Sequence, residues 1–246
     1  MIRKVFTTAL LAGFLAGLII SLVQEFTTTP LILHAEEYEN AGPEKAALSL
    51  PAQTAEARIY LAHAGGPADH QEREWAPADG IERSLYTSGA NVIAGIGFSL
   101  LLVAAFTLHG RPVNGRTGLL WGIAGFTVFS LAPALGLAPE APGAIAAELS
   151  LRQGWWVLTA ACTAAGLWLL FFRQQRGLNI LGLVIIALPH IIGAPHPTEM
   201  GGNTPPELAA AFAAASLVVS AVFWALMGWL NGMLFARFGG NEALRA

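Results

Sequence analysis

Two imidazoles and three prolines are crowded into Leu188-Pro189-His190-Ile191-Ile192-Gly193-Ala194-Pro195-His196-Pro197-Thr198-Glu199-Met200, directly behind the apolar run Leu178 to Leu188. Imidazole nitrogens are common ligands for divalent transition metals, and they titrate near neutral pH. Proline has no backbone donor and clashes with the preceding helical turn, so regular helix is expected to stop at Pro189. At membrane depth, irregular backbone is tolerated only where it is buried in protein or lines a wet cavity. A helix broken beside His190, with His196 just beyond it, is therefore a candidate ion site. The plainer alternative is a proline-rich exit loop with two solvated histidines.

The elements that would hold such a site are set by composition. Of 246 residues, 54% are hydrophobic and 12% charged, against roughly 25% charged in ordinary soluble domains. So few charges cannot wrap so apolar a chain in water, which makes it an all-helical, polytopic membrane protein. The single cysteine, Cys162, lies in an apolar run. It allows no intramolecular disulfide, and a buried structural thiol is expected.

Spans are expected near residues 5–24, 88–108, 118–137, 155–172, 178–192 and 211–235, all within one integral membrane domain covering 1–246. The first is long for a cleaved signal and has no clear small-x-small site behind it, so it reads as retained. The fifth is short, and five spans with a re-entrant segment are the alternative. Gly13/Gly17, Gly118/Gly122 and Gly228/Gly232 repeat a four-residue spacing of small residues, the pattern of close helix packing. Trp121, Trp155, Trp156 and Trp229 fall near span ends, as interfacial anchors do.

Residues 25–83 form the one long polar segment, with eleven acids against four bases. Its middle has no helical or strand period and reads as a loosely ordered extracytoplasmic loop. Leu31 to Glu39 suits a short interfacial helix with His34, Glu37 and Tyr38 on one face. Asp79-Gly80-Ile81-Glu82 has the pattern of a capped helix start. His63 and His70 lie between them as loop histidines.

Six spans with both termini inside place eight bases against one acid on the inner side, and five bases against fifteen acids outside. That excess of bases in the short inner loops is the positive-inside pattern. His34, Glu36, Glu37, His190, His196 and Glu199 then share the outer face, with His63 and His70 beside them. His109 stands alone at the inner rim, where a snorkelling role is expected. An imidazole and carboxylate set of this kind suits Co, Ni or Zn ions, and the lack of a cysteine cluster argues against copper(I) or iron–sulfur sites. No Gly-rich loop followed by Lys-Ser/Thr, no His-Glu-x-x-His and no Gly-x-Ser-x-Gly occurs in the chain. Nucleotide hydrolysis of the P-loop kind, metalloprotease and serine-hydrolase chemistry are disfavoured, and no catalytic residue is assigned. Nor does any charge lie in mid-span, so a proton relay has no visible members.

Several separate stretches together resemble one known family. Ala12-Gly13-Phe14-Leu15-Ala16-Gly17 and Thr29-Pro30-Leu31-Ile32-Leu33-His34-Ala35-Glu36 carry the resemblance at the front. Glu74-Trp75-Ala76-Pro77-Ala78-Asp79-Gly80-Ile81-Glu82-Arg83 and Ala90-Asn91 continue it. Leu188-Pro189-His190-Ile191-Ile192-Gly193-Ala194-Pro195 and Phe212-Ala213-Ala214-Ala215-Ser216-Leu217 complete it. The combination is similar to the CbtA family of probable cobalt transporter membrane subunits. The resemblance implies cobalt uptake linked to cobalamin synthesis in a bacterial cytoplasmic (inner) membrane, and a small single-span, His-bearing CbtB-like partner. The family carries Glu where His34 stands here, its loop is richer in histidine, and it is described with about five spans.

The expected function is a non-enzymatic, multi-pass membrane subunit for divalent metal uptake, with Co²⁺ (or Ni²⁺) as cargo and no tightly bound cofactor. Capture is assigned to His34, Glu36, Glu37, His190, His196 and Glu199, and passage to the seam between close-packed helices. The partner is expected to dock on Gly13/Gly17; nucleic acid is not an expected partner, and a homo-oligomer is compatible with the chain. A non-conducting scaffold that recruits a metal-carrying partner is the alternative.

Overall fold

The structure, a computed structural model, describes residues 2–40, 77–173, 175–197 and 202–243. His63, His70 and Glu199 lie outside the described residues, as does the middle of the long polar segment. The helices are α1 (Ile2–Phe26), α2 (Thr28–Asn40), α3 (Ile81–His109), α4 (Gly115–Phe126) and α5 (Ala132–Ala134). They continue with α6 (Leu149–Phe172), α7 (Arg176–Ile192), α8 (Pro206–Arg237) and α9 (Gly240–Ala243). A π-helical stretch, Thr127–Leu131, joins α4 to α5. Among the described residues the only β-structure is an isolated bridge between Ala144 and Gly202. Five helical stretches are long and apolar enough to cross a membrane: α1, α3, Gly115–Ala134, α6 and α8. α7 is apolar but has 17 residues.

Three antiparallel pairs build the bundle, and small residues set two of them. Gly13 lies against Gly95 and Ile96, and Gly17 against Asn91 and Val92, which joins α1 to α3. A Cβ at Gly13 would sit 2.5 Å from Ile96 Cα, and one at Gly17 would sit 2.6 Å from Val92 Cα. Gly118 and Gly122 face Gly228 and Gly232, which joins α4 to α8 backbone against backbone. Such close approach gains dispersion contacts that lipid cannot supply. In the third pair Gly166 meets Gly182 and Ile186, while Trp155 meets Pro189, so α7 runs back along α6.

Two sequence expectations change here. The Gly13/Gly17 groove is filled by α3 and is not open to a partner. The glycine seams are backbone-to-backbone contacts and, as described, hold no opening that an ion could follow.

The core lies between α1, α3, α4 and α8, around Phe106, Met227, Leu230, Trp224 and Phe235. Within it Ser99 Oγ donates to Asn231 Oδ1 at 2.7 Å, and Asn231 Nδ2 donates to Met227 O at 2.9 Å. Both residues are fully buried. Ser99→Ala should lower stability by about 0.6–2 kcal/mol, the range for one interhelical bond in a membrane bundle. An unchanged melting temperature in detergent would show that the bond contributes nothing.

The helix ends sort into two sets. Lys4 Nζ donates to Gly239 O at 2.9 Å, and Asn241 pairs with both backbone polar groups of Val113. His109 meets Phe172 edge-on at 5.0 Å. That end therefore gathers Arg3, Lys4, Arg111, Arg116, Arg173, Arg176 and Arg237. At the opposite end, Ala35 of α2 packs with Ala141 and Leu208. Thr204 Oγ1 donates to Pro142 O at 2.6 Å, and Gly136 faces Ala194. This acidic end carries Glu25, Glu36, Glu37, Glu39, Asp79, Glu82, Glu140, Glu148 and Glu207.

Candidate functional site

The expected break at Pro189 does not occur: α7 continues through it to Ile192. Proline withholds one donor, the one that would reach the carbonyl of Ile185. In the last turn of a helix that is a single lost bond, and residues beyond it complete the turn. Gly193 N donates back to Pro189 O at 3.0 Å, and the indole Nε1 of Trp155 donates to the same oxygen at 3.2 Å. The chain leaves the helix at Gly193, whose φ of 89° is a left-handed value that glycine tolerates.

Trp155 is thus not an interfacial anchor. It is buried, and its ring lies edge-on to His190 with centroids 5.8 Å apart. His190 is half-buried, and its Nε2 is shut from solvent without a hydrogen-bond partner among the described residues. An unpaired buried nitrogen of this kind costs roughly 1–3 kcal/mol. His196 is exposed beyond the helix. His109, expected to snorkel, instead packs edge-on against Trp121 and Phe172 at the basic end.

On α2, His34 is exposed and its ring contacts Tyr38 at 5.5 Å; Glu37 is exposed beside it. Glu36 points the other way and is clamped by Arg83 at the start of α3. Nη1 of Arg83 donates to Oε2 at 2.9 Å while Nη2 binds Oε1. A fork-to-fork pair is the strong form of a charged hydrogen bond. Asp79, expected as a helix cap, makes no cap bond; Gly80 occupies that position, and the Asp79 carboxylate lies 3.2 Å from Arg83. Among the described residues, no three of the His, Cys, Asp and Glu side chains form a group that could hold a metal ion.

Two openings at the acidic end were not anticipated. The larger, about 670 Å³, lies where the π stretch and α5 meet α6 and α8. Ser130 and Ser220 share a hydrogen bond of 2.8 Å in its wall, and Arg152 pairs with Glu140 at 2.6 Å. Trp156, next to Trp155, turns into this groove toward Phe129. The smaller, about 160 Å³, lies between the α1–α2 corner and α3. It is lined by Gln24, Glu25, Thr28, Thr29, Ile32, Arg83, Ser84, Thr87 and Asn91. The α1–α3 pairing creates it: Asn91 Nδ2 donates to Ser21 Oγ at 3.0 Å and to Gln24 Oε1 at 2.6 Å. Residues of the 29–36, 77–83 and 90–91 stretches meet at this corner. A polar residue inside an apolar helix, as Asn91 is, was the available signal.

Neither the curated proteins nor the solved structures compared with this chain include a match. Among family models, residues 2–236 match the one described as "Probable cobalt transporter subunit (CbtA)". With nearly its whole length matched and an all-helical membrane architecture, the chain belongs to the CbtA family.

Proposed function

We propose that this chain carries cobalt ions across the membrane from its acidic end, with His190 as the first inner-sphere nitrogen met inside the helical layer. The observation that carries the reading is the orphaned Nε2 of His190 beside Trp155. A buried imidazole nitrogen with no hydrogen-bond partner is a candidate ligand for an intermediate divalent ion. His196, Glu199, His34 and Glu37 belong to outer segments that can complete the coordination, and histidines of a CbtB-like partner can do the same. Glu36 is a weak member of that set, since both its oxygens are held by Arg83.

The charge sorting supports placing both termini in the cytoplasm, with the basic end inside. α7, about 26 Å long at helical rise, lies along α6 from the level of Phe172 to that of Trp155. That pairing supports counting it as a sixth crossing. The groove between α6, the π stretch and α8 is the route this reading favours over the glycine seams.

Uptake of labelled Co²⁺ into proteoliposomes tests the proposal, with and without the partner. His190→Ala and His190→Gln should each reduce uptake per folded protein at least about tenfold, the lower bound even for an outer partner of a metal ligand. His196→Ala should weaken it as well. Normal uptake in both His190 variants would remove this residue from the mechanism. A second reading, a scaffold that conducts nothing alone, is favoured by the backbone-to-backbone seams of the core. Uptake by vesicles holding this chain alone separates the two.

A further inference from the structure

The smaller opening at the acidic end has a chemistry of its own. Glu25 sits on the last turn of α1, and Arg83 and Ser84 on the first turn of α3, so the pocket lies where both helices reach the bundle end. Its walls are rich in oxygen acceptors with no claim on them. Among the described residues, the Glu25 carboxylate and the hydroxyls of Thr28, Thr29, Ser84 and Thr87 have no hydrogen-bond partner. Thr28 is only 6% exposed, so its hydroxyl faces the pocket or nothing.

The amide network fixes the polarity further. Asn91 spends its amino group on Ser21 and Gln24, which leaves its carbonyl oxygen as an unused acceptor. Arg83 is the one cation in the wall, and its guanidinium is already gripped by Glu36 and approached by Asp79. Glu25 in the wall, with Glu36 and Asp79 on the guanidinium, outnumbers that cation, so an anion would enter a surplus of negative charge. A species that donates hydrogen bonds and carries positive charge meets Glu25 and the free hydroxyls without displacing anything.

We propose that this pocket holds a divalent cation with most of its water shell, through contacts from the ion's waters to Glu25, Thr28, Thr29, Thr87 and the Asn91 carbonyl. The volume of about 160 Å³ has room for several waters. Small divalent ions give up their water shells reluctantly, so a site that accepts the ion still hydrated, ahead of the imidazole of His190, separates capture from dehydration. The inference rests on the cobalt-uptake reading for the identity of the ion, but not for the chemistry of the pocket.

Hexaamminecobalt(III), an octahedral cation whose ligands do not exchange, is the probe. Its ammines donate hydrogen bonds as the ion's waters do, and it cannot bind imidazole directly. Equilibrium binding to the full chain in detergent should show hexaamminecobalt(III) bound by the wild type and equally by His190→Ala. Glu25→Gln should weaken hexaamminecobalt(III) binding about tenfold or more, the loss expected for charge-assisted hydrogen bonds. Thr28→Val keeps the shape, removes one acceptor, and should weaken it several-fold. No binding of hexaamminecobalt(III) by the wild type, or wild-type affinity in both folded variants, overturns the proposal. The readout is binding alone, so a chain that binds hexaamminecobalt(III) but takes up no cobalt would refute conduction and leave the pocket standing.

Discussion

Gly228→Leu should yield little or no folded protein. A Cβ at that position would sit 2.5 Å from the Gly118 carbonyl oxygen and 2.6 Å from Gly122 Cα, inside the backbone of α4. A side chain in a core can be relieved by rotamer changes, at about 1–3 kcal/mol. Backbone cannot turn aside, so α4 and α8 must separate, and the penalty exceeds that range. Gly97→Leu is the control, because nothing lies within 4 Å of a Cβ there. Size-exclusion profiles and melting temperatures in detergent should show aggregation for Gly228→Leu and near-wild-type behaviour for Gly97→Leu. A monodisperse, equally stable Gly228→Leu protein would mean that α4 and α8 do not meet as described. By the same geometry, leucines at Gly13 and Gly17 would disrupt the α1–α3 pair before they reported on any partner.

Reversing the charge of Arg83 should have the second-largest effect. Arg83→Glu places a carboxylate against Glu36, near Asp79 and Glu25, on the wall of the smaller pocket. The bidentate pair it destroys joins α2 to α3, and both side chains are about a quarter exposed. Their coupling, measured by a double-mutant cycle with Glu36→Gln and Arg83→Gln, should be about 1–3 kcal/mol. Arg83→Glu combined with Glu36→Arg should recover part of the lost stability. Coupling below about 0.5 kcal/mol would place the pair among ordinary surface ion pairs and make the apolar packing of Ala35 and Leu31 the larger hold on α2.

The helices were legible because each apolar run is fenced by arginines or prolines. The observed α1, α3, α6, α7 and α8 enclose the runs expected for them, and only the third run ends differently, at Ala134 after a π turn. Pro133, which lies just past that turn and lacks a backbone donor, was the available mark of irregularity there. The glycine spacings were legible as seams, but their mates were not. Gly118/Gly122 with Gly228/Gly232 and Gly13/Gly17 with α3 are pairings between segments far apart in the chain.

The site was harder to read. His190 was identified by its neighbours in sequence, yet the reason given, a broken helix, overestimated one proline in a final turn. Glu36 was taken for a ligand because acids near histidines suggest metal, and its arginine lies 47 positions away. The smaller pocket was passed over entirely. Gln24 and Glu25 looked like the polar end of a span, and only the register of α1 on α3 shows that Asn91 faces them.

The contacts of α8 also set a timetable. This last long helix touches α1, α2, α3 and α4, so the bundle closes around the segment that leaves the ribosome late. Until Gly228 and Gly232 arrive, the glycine face of α4 has only lipid beside it, and α2 lacks Leu208 to rest on. Domains made during synthesis ordinarily fold as their own residues emerge; here α4 must wait in the bilayer for its partner. A chain stopped after α7 would thus present the unpaired glycine face of α4 to the membrane's quality-control proteases, whatever ligands it already carried.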